Sequence, residues 1–315
     1  MARLVAVTGA TGFVGAATVH HLLRAGWHVR ILTRRMPQNA LLPDHSIEVV
    51  LGDIDDRSSL ERLVAGADAI VHCAGLTKAL TPIEFFNVNE GGAIRLLEAA
   101  QKTAPQARLV HISSLAAREP QLSPYAASKR AGEDKLRALA GTRDWIALRP
   151  PAVYGPGDLA LLPLFKAAKL GLLAYPASPE ARASTIHVAD LAAGIAALLE
   201  TSSWPHRIIE PDDEHPSGHD WIEINHVLGS CFGRRPLALR LPRPFMTGVA
   251  GGVTLVSRLT STPQVLSLQK LSELYHADWA ASGPKLSEIT PWQPTFDLLQ
   301  GFADTLKWYR REALL

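Results

Sequence analysis

The sequence predicts an α/β fold: a doubly wound parallel sheet with a smaller, discontinuous cap in the C-terminal half. Three observations lead to this prediction. Short apolar runs alternate with longer amphipathic stretches in the first half, a glycine-rich turn follows the first apolar run, and the pattern loosens into proline-rich loops after residue 150. Strands that alternate with helices connect as βαβ units, which makes the sheet parallel and covers both of its faces.

Apolar runs rich in Val, Ile and Leu predict six strands in the first half. They lie at residues 4–7, 29–32, 47–50, 69–72, 108–112 and 145–148. Helices are predicted where apolar residues recur with a helical period, at residues 14–25, 58–65, 91–101 and 124–140. Asp55 and Asp56 stand near the start of the second of these helices, where acidic side chains are favoured.

The first predicted strand runs directly into the segment TGATGFVG, residues 8–15, which opens a helix. Glycines there allow a tight turn, a close approach of the backbone to a pyrophosphate and close packing of helix on strand. The N-terminus of the helix adds free N–H groups and a positive dipole. A GxxGxxG triplet alone also fits an ordinary tight turn, but its place in a βαβ unit favours a Rossmann-type dinucleotide site.

The residues that end the second strand indicate which dinucleotide binds. An acidic residue there accompanies a free ribose 2′-hydroxyl, whereas a basic residue accommodates a 2′-phosphate. This chain has Thr33-Arg34-Arg35 at that point, so we predict NADP rather than NAD, with Arg34 as the phosphate partner. The alternative is that both arginines are solvated loop charges.

After Pro150 the sequence becomes rich in turns, and a helical pattern returns before residue 200. We predict that residues 1–150, joined by 184–210, form the dinucleotide-binding Rossmann domain. Residues 151–183 and 211–315 would form the substrate-binding cap, which closes on the cofactor crevice.

Composition excludes several classes of protein. Lysines and arginines number 32 and aspartates and glutamates 30, so the net charge of +2 offers no basic stripe for nucleic acid. Cys73 and Cys231 lack the spacing of a disulfide framework or a Cys/His zinc site, so we expect no metal and a reducing, cytoplasmic location. We also expect no signal peptide, because the apolar run at residues 4–7 is strand-like and is followed by glycines. We expect no membrane span, because the 14 uncharged residues between Arg243 and Arg258 fall short of the roughly 20 that cross a bilayer.

A tyrosine and a lysine four residues apart form the candidate catalytic pair. In SPYAASK, residues 123–129, the proline opens a helix, so Tyr125 and Lys129 share one helical face. A tyrosine pKa of about 10 is too high for a base at neutral pH, and a neighbouring ammonium would lower it. By itself such a pair is usually a surface pair, but Ser113-Ser114 ends the fifth strand, on the side of the crevice. A serine hydroxyl there would bind the substrate oxygen while Tyr125 transfers its proton.

These motifs, in this order, resemble a known family. TGATGFVG, LGDI at residues 51–54, HCAG at residues 72–75, SS, YxxxK and LRPPAVYGPG resemble the extended short-chain dehydrogenase/reductases, the NAD-dependent epimerase/dehydratase group. They cover roughly the first half of the chain, and their combination is far more specific than any one of them. The resemblance implies Ser-Tyr-Lys catalysis, and Ser114 matches the catalytic serine better than Ser113, which we keep as a substitute.

The resemblance also implies which residues contact the cofactor. Gly9, Gly12 and Gly15 would cradle the pyrophosphate. Asp53 would touch adenine, and Lys129 would also hold the nicotinamide ribose. The full set of predicted cofactor-binding residues is Gly9, Thr11, Gly12, Phe13, Val14, Gly15, Arg34, Asp53, Ile54, Ala74, Gly75, Lys129 and Pro150.

Several further positions take roles from the family. Ile54 would pack by the adenine, Ala74 and Gly75 would line the adenine ribose, and the backbone after Pro150 would meet the carboxamide. Asn89 resembles the structural asparagine of the family, and the alternative is that it caps a helix N-terminus.

Two departures from the family affect the substrate site. The segment between Ser114 and Tyr125 is shorter than in typical sugar-nucleotide epimerases, so the pocket would be unusually open. The arginine and aspartate that precede a Phe/Tyr-x-His-Val segment in those enzymes are not visible, although Arg182 lies one residue from that position. We interpret Arg182 as a solvated charge, and His187 and Asp190 as structural residues.

We therefore predict an NAD(P)-dependent oxidoreductase that transfers a hydride between nicotinamide and a carbonyl or secondary alcohol. Ser114 would orient the substrate, Tyr125 would be the acid/base and Lys129 would tune it. The apolar C-terminal half favours an apolar or aromatic small-molecule substrate, as in the dihydroflavonol reductase and hydroxysteroid dehydrogenase branches. The alternatives are a nucleotide-sugar epimerase or dehydratase, and a non-catalytic NADP-binding subunit or redox sensor. A homodimer through the Tyr125 helix is not distinguishable from a monomer by sequence.

Overall fold

A seven-stranded sheet lies at the centre of the computed structural model, which describes residues 3–36, 42, 47–204, 207–260 and 270–315, without the side chains of 255–259. The strands are β1 (Leu4–Thr8), β2 (His28–Thr33), β3 (Ile47–Leu51), β4 (Ala69–His72), β5 (Arg108–Ile112), β6 (Trp145–Leu148), β7 (Ala152–Tyr154), β8 (Leu172–Tyr175), β9 (Arg182–Ala183), β10 (Thr185–His187), β11 (Ile208–Ile209), β12 (His219–Asp220), β13 (Leu237–Arg240) and β14 (Asp278–Trp279). The central sheet has the order β11-β6-β5-β4-β1-β2-β3, and all its pairings are parallel. The predicted Rossmann-type fold is confirmed.

Helices cover both faces of this sheet. They are α1 (Phe13–Arg24), α2 (Arg57–Val64), α3 (Pro82–Asn89), α4 (Gly91–Thr103), α5 (Pro124–Leu139), α6 (Leu162–Lys169), α7 (Val188–Glu200), α8 (Trp221–Phe232), α9 (Arg243–Thr260), α10 (Leu271–Leu274) and α11 (Leu298–Arg311). The four helices predicted for the first half are α1, α2, α4 and α5. The sequence did not predict α3, α6, α8, α10 and α11.

Alternate residues of β1 face opposite layers of the protein. Val5 and Val7 belong to a core cluster shared with α1 and α7, whereas Ala6 belongs to a second cluster shared with α2, α4 and α5. Because both faces are buried, the strand is a continuous apolar run rather than an alternating one. This is why short uninterrupted runs predicted the central strands.

Polar side chains set the starts of several helices. The Asp56 carboxylate accepts a hydrogen bond from the Ser58 N–H at 2.9 Å and begins α2. Ser123 does the same for α5, which has a proline in its first turn. Asp297 begins α11 with a capping box. Each cap satisfies a backbone donor that the helix itself leaves unpaired.

The C-terminal half forms small sheets and an apolar cluster of its own. β7 pairs with β10, β8 pairs with β13, and β9 lies between β12 and β14. Tyr154, Phe165, Phe302 and Tyr309 lie in the apolar cluster. Residues 184–210 contribute α7 and β11 to the central layer, which is consistent with the proposed domain division. The domain boundaries themselves stay a prediction.

The apolar stretch between Arg243 and Arg258 lies in α9, a surface helix. Met246 and Ala250 are buried on one side of this helix, and Phe245 is exposed. Among the described residues, no helix combines the length and the apolarity needed to cross a bilayer.

Candidate active site

The glycine-rich turn packs tightly against the end of a neighbouring strand. Gly9 has φ of +69°, and a Cβ on it would lie 2.6 Å from the backbone nitrogen of Ala74. A Cβ on Gly15 would lie 2.1 Å from the carbonyl oxygen of Gly9. Gly12 is the N-cap residue of α1, and its position offers no side chain to bind the first N–H groups of the helix. The turn therefore leaves backbone donors available to an anion.

The other predicted residues of the turn point in different directions. Thr11 is exposed and lines the adjoining cavity. Phe13 lies beside the loop that follows β7, since a Cβ on Gly157 in that loop would lie 3.2 Å from the Phe13 ring. Val14 packs against the core, and its carbonyl accepts a hydrogen bond from the Thr18 hydroxyl at 2.8 Å. Val14 thus holds the helix on the sheet.

A cavity of about 1140 Å³ opens at the carboxyl ends of β1, β2 and β4. The predicted cofactor residues that line it are Gly9, Thr11, Gly12, Arg34, Asp53, Ile54, Ala74 and Gly75. Lining residues that we did not predict are Thr8, Leu32, Thr33, Arg35, Met36, Gly52, Asp55, Cys73, Leu76 and Val88. Most of these residues end or follow β1, β2, β3 or β4. Their position at the carboxyl ends of strands could have predicted them.

Arg34, Asp53 and Ile54 form one wall of this cavity. Arg34 is exposed, and it has no ion-pair partner among the described residues. The Asp53 carboxylate accepts a hydrogen bond from the Asp55 N–H at 3.1 Å. Ile54 packs on α4, because a Cβ on Gly92 would lie 2.7 Å from its terminal methyl carbon. The wall thus presents the exposed guanidinium of Arg34, the hydrogen-bonded carboxylate of Asp53 and the apolar side chain of Ile54.

The candidate catalytic pair is buried. Tyr125 is 9% exposed and Lys129 is 5% exposed, so the alternative of an ordinary surface pair is wrong. The Ser123 hydroxyl accepts a hydrogen bond from the Ala126 N–H at 3.0 Å and fixes the first turn of α5. Both side chains then project from the same face of the helix.

Tyr125 lies between two regions of the protein. Tyr125 belongs to a small buried apolar cluster. Leu76 and Trp279 both pack against this cluster. Leu76 lines the first cavity, and Trp279 lines a second cavity. The Nζ of Lys270 lies 4.0 Å from the centroid of its ring. Burial raises the pKa of Tyr125 to about 12, opposed by a hydrogen bond with Ser114. This differs from our expectation of a lowered pKa, because desolvation outweighs the polar contacts.

Lys129 adjoins the first cavity at Gly75. The Nζ of Lys129 donates a hydrogen bond to the Ile112 carbonyl at 2.9 Å. A Cβ on Gly75 would lie 2.9 Å from the same Nζ. Burial lowers the pKa of Lys129 to about 8. The ammonium is directed at a backbone carbonyl and the cavity edge.

The two adjacent serines have different surroundings. Ser114 caps a short 3-10 turn, where its hydroxyl accepts a hydrogen bond from the Ala116 N–H at 3.2 Å, and it is the serine beside Tyr125. The Ser113 hydroxyl instead donates to buried Glu133, whose carboxylate is paired with Arg149 at 2.7 Å. Ser113 is therefore engaged in a structural network.

Asn89 joins the first cavity to α5. Its side-chain amide donates to the Leu76 carbonyl at 3.1 Å and to the Ser128 hydroxyl at 2.9 Å, and its oxygen accepts from the Leu76 N–H at 2.8 Å. The helix N-cap alternative is wrong, because Asn89 ends α3 and Glu90 is the N-cap residue of α4. Asn89 holds the loop after β4 against the helix of the catalytic pair.

We expect Asn89→Ala to lower the free energy of unfolding by about 3 kcal/mol, because it leaves both backbone groups of Leu76 without their partner. Urea unfolding measures this loss. Asn87→Ala, at an exposed position of the same helix, is the control and should change stability by less than about 0.5 kcal/mol. Equal effects of the two substitutions would contradict the bridging role.

The second cavity, of about 480 Å³, lies in the C-terminal half. Its lining is mainly apolar and includes Leu161, Leu164, Ala177, Ala181, Trp221, Ile224, Leu274, Trp279 and Phe302, with Arg182, His219, Lys270, Glu273 and His276 among the polar residues. Glu273 accepts a hydrogen bond from Ser123, and Lys270 lies over Tyr125. These contacts place one end of the cavity at the start of α5. Neither Lys270 nor Glu273 stood out in the sequence.

The remaining predicted residues are structural in their contacts. The carbonyl of Pro150 accepts a hydrogen bond from the Leu115 N–H at 2.9 Å, next to Ser114. His187 caps α7. The Asp190 carboxylate accepts hydrogen bonds from the Thr295 hydroxyl at 2.6 Å and from the Phe296 N–H at 3.0 Å. Arg182, which lies one residue from the position of the diphosphate clamp, lines the second cavity.

A Rossmann-type sheet with a glycine turn, and a buried Tyr/Lys pair beside a serine at its open edge, define a nucleotide-binding α/β protein. The family described as NAD dependent epimerase/dehydratase matches residues 5–209. The chain belongs to this family of extended short-chain dehydrogenase/reductases. The predicted resemblance, and the prediction of an enzyme of this family, are confirmed.

Two relatives and one solved structure show what this chain is similar to. The chain is 42% identical to a protein named ceramide reductase from Caulobacter vibrioides, over 98% of this chain and 94% of that protein. It is 27% identical to 3 beta-hydroxysteroid dehydrogenase/Delta 5→4-isomerase from Mycobacterium tuberculosis, over 97% and 90% of the two chains. UDP-glucuronic acid 4-epimerase from Bacillus cereus, solved with UDP-glucuronic acid and NAD, has a TM-score of 0.74 at 18% identity, covering 98% of this chain and 99% of that one. The last likeness shows a shared fold.

Proposed function

We propose that this protein is an NADP(H)-dependent reductase that converts a ketone to a secondary alcohol on an apolar, ceramide-type lipid. The observation that carries the proposal is the position of the buried Tyr125, with Ser114 and Lys129, between the glycine-turn cavity and the apolar cavity. The chain's 42% identity to a protein named ceramide reductase supports this substrate class.

The first cavity fits a dinucleotide. Added Cβ atoms at Gly9 and Gly15 would overlap backbone atoms, so the turn has room only for glycine where a diphosphate needs close approach. Gly9, Gly12 and Gly15 would hold the diphosphate, with Thr11, Phe13 and Val14 completing the turn. On the family pattern, Asp53 and Ile54 would hold adenine, Ala74 and Gly75 its ribose, Lys129 the nicotinamide ribose and the backbone at Pro150 the carboxamide. When bound, the nicotinamide supplies or accepts the hydride.

The chain's own groups would manage the proton. At neutral pH Tyr125 keeps its proton, because burial raises its pKa, and it can therefore donate this proton to a carbonyl oxygen that becomes an alcohol. The Ser114 hydroxyl beside it would orient the same oxygen. Lys129 would stabilise the phenolate left after the transfer while its ammonium is protonated, which holds below its pKa of about 8.

The second cavity supports an apolar substrate. Its lining is mainly aliphatic and aromatic, and its polar residues Lys270 and Glu273 lie at the end next to Tyr125. A lipid chain would bury apolar surface there, at roughly 25 cal/mol per Å², while its polar group points to the catalytic residues.

The function is tested by giving the purified protein NADPH and a ceramide whose secondary hydroxyl has been oxidised to a ketone. Absorbance follows NADPH, and mass spectrometry follows the lipid. We expect one NADPH consumed for each alcohol formed. Nucleotide sugars are offered in parallel with NAD⁺, and their conversion without net change of cofactor would replace this proposal with an epimerase or dehydratase.

The cofactor preference is tested at Arg34. Arg34→Ala should raise the Kd for NADPH by about 10- to 100-fold, because a charge-assisted contact to the 2′-phosphate is lost, and leave the Kd for NADH within about twofold. Fluorescence titration measures both constants. Arg35→Ala, which removes the neighbouring exposed charge, is the matched control. Equal binding of the two cofactors by the wild type, with no effect of Arg34→Ala, would contradict the preference.

A further inference from the structure

Three potential metal ligands converge at the start of α8, outside the candidate catalytic residues. His215, His219 and Glu223 follow one another at intervals of four residues, and one donor atom from each lies within 4.8 Å of the others. His219 lies in β12. Glu223 lies in the first turn of α8, where its N–H donates to the Asp220 carboxylate at 2.8 Å.

Both imidazole rings are oriented by an acceptor on the side away from the cluster. The Nε2 of His219 lies 2.6 Å from a carboxylate oxygen of Asp213, and the Nδ1 of His215 lies 3.1 Å from the carbonyl of Gly218. These contacts place a hydrogen on the outer nitrogen of each ring. The other nitrogen then offers a lone pair to the cluster, which is how metal-bound histidines are held in proteins.

The inner nitrogen of His219 is buried and faces the Glu223 carboxylate. The side chain of His219 is 2% exposed, and its Nδ1 lies 3.0 Å from a Glu223 oxygen without the alignment of a hydrogen bond. The Nε2 of His215 lies 3.5 Å from the other oxygen of Glu223. Tetrahedral ligands at about 2.1 Å from a zinc ion are about 3.4 Å apart. The two observed spacings, each to a different oxygen of Glu223, lie on either side of that value.

The loop that presents His215 is held by its own side chains. The Asp212 carboxylate accepts from the Glu214 N–H at 3.1 Å, and the Asp213 carboxylate accepts from the His215 N–H at 3.2 Å. The carboxylates of Asp213 and Glu223 lie 2.6 and 3.0 Å from the two ring nitrogens of His219. Two carboxylates at this point favour a positive charge, which a metal cation can supply.

We propose that His215, His219 and Glu223 bind a divalent transition-metal ion of the Zn²⁺ type. Two imidazoles and one carboxylate suit Zn²⁺ better than Mg²⁺ or Ca²⁺, which prefer oxygen ligands alone. Three protein ligands leave a fourth position for water or another ligand. His219 also lines the apolar cavity, so the ion would fix one part of that wall.

The spacing HxxxHxxxE at residues 215–223 was visible in the sequence. Neither Cys73 nor Cys231 belongs to this cluster. The expectation of no metal concerned Cys/His spacing, and the present proposal replaces it.

The test uses the full chain without a histidine tag, treated with a chelator and titrated with Zn²⁺ by calorimetry at neutral pH. We expect one ion per chain. His215→Ala and Glu223→Gln should each weaken binding by at least about 100-fold, and Asp213→Asn, which loses the acceptor that orients His219, by about 10-fold. His226→Ala is the matched control, because His226 is an exposed histidine of the same helix, and it should bind Zn²⁺ like the wild type.

Two further readouts separate binding from folding. Zn²⁺ should raise the Tm of the wild type and of His226→Ala but not that of Glu223→Gln. Co²⁺ should give the visible absorption bands of a low-coordinate site in the wild type, and Glu223→Gln should lose them. Binding of Zn²⁺ by the wild type no tighter than by His215→Ala and Glu223→Gln would overturn the proposal, and the cluster would then be a protonated histidine between carboxylates.

Discussion

Tyr125→Phe is expected to lower kcat by about 1000-fold, because it removes the hydroxyl that donates a proton to the substrate oxygen. The ring and its contacts with Phe85 and Lys270 remain, so the free energy of unfolding and the Kd for NADPH should change little. Steady-state NADPH oxidation with the oxidised ceramide gives kcat, and fluorescence titration gives the Kd.

The control for this substitution is Tyr175→Phe. Tyr175 ends β8 and stacks on Trp221, with ring centroids 6.2 Å apart, and loss of its hydroxyl should leave kcat within about twofold. A Tyr125→Phe variant that keeps kcat within about 10-fold of the wild type would mean that another group supplies the proton. Full biological activity of that variant would instead favour the non-catalytic alternative, a cofactor-binding subunit or redox sensor.

Gly9→Ala is expected to abolish nucleotide binding, raising the Kd for NADPH by at least about 100-fold, and to lower the free energy of unfolding by about 3 kcal/mol. Two effects combine at this position. The left-handed backbone, with φ of +69°, disfavours any side chain, and the new Cβ would meet the backbone of Ala74 at 2.6 Å. The turn must move away from β4, which displaces the donors that would face the diphosphate.

Gly26→Ala separates the two effects. Gly26 has φ of +83°, but a Cβ there would have nothing within 4 Å. We expect it to cost about 1 kcal/mol of stability and to leave the Kd for NADPH unchanged. Urea unfolding and fluorescence titration of both variants make the comparison. If Gly9→Ala bound NADPH as well as Gly26→Ala does, the glycine turn would not be the diphosphate site.

Much of the first half could be predicted because its signals are local. The apolar runs of β1 to β6, the glycine turn and the spacing of Tyr125 and Lys129 each depend on residues within one or two turns of chain. The helices that were missed show the limit of such signals. α3 is short and begins at Pro82, and α6, α8 and α11 lie among turn-rich segments and are stabilised by packing in one apolar cluster.

The sequence by itself determined the class of protein, the family and the candidate Ser, Tyr and Lys, since short motifs in a fixed order specify the cofactor-side half of the site. The tertiary structure places Ser114, which the resemblance favoured over Ser113, beside Tyr125. Only the tertiary structure decided that Lys270 covers the ring of Tyr125. It also decided that Tyr125 has a raised rather than a lowered pKa. The physical reason is that burial and electrostatic surroundings depend on side chains far apart in sequence, which converge only when the chain has folded.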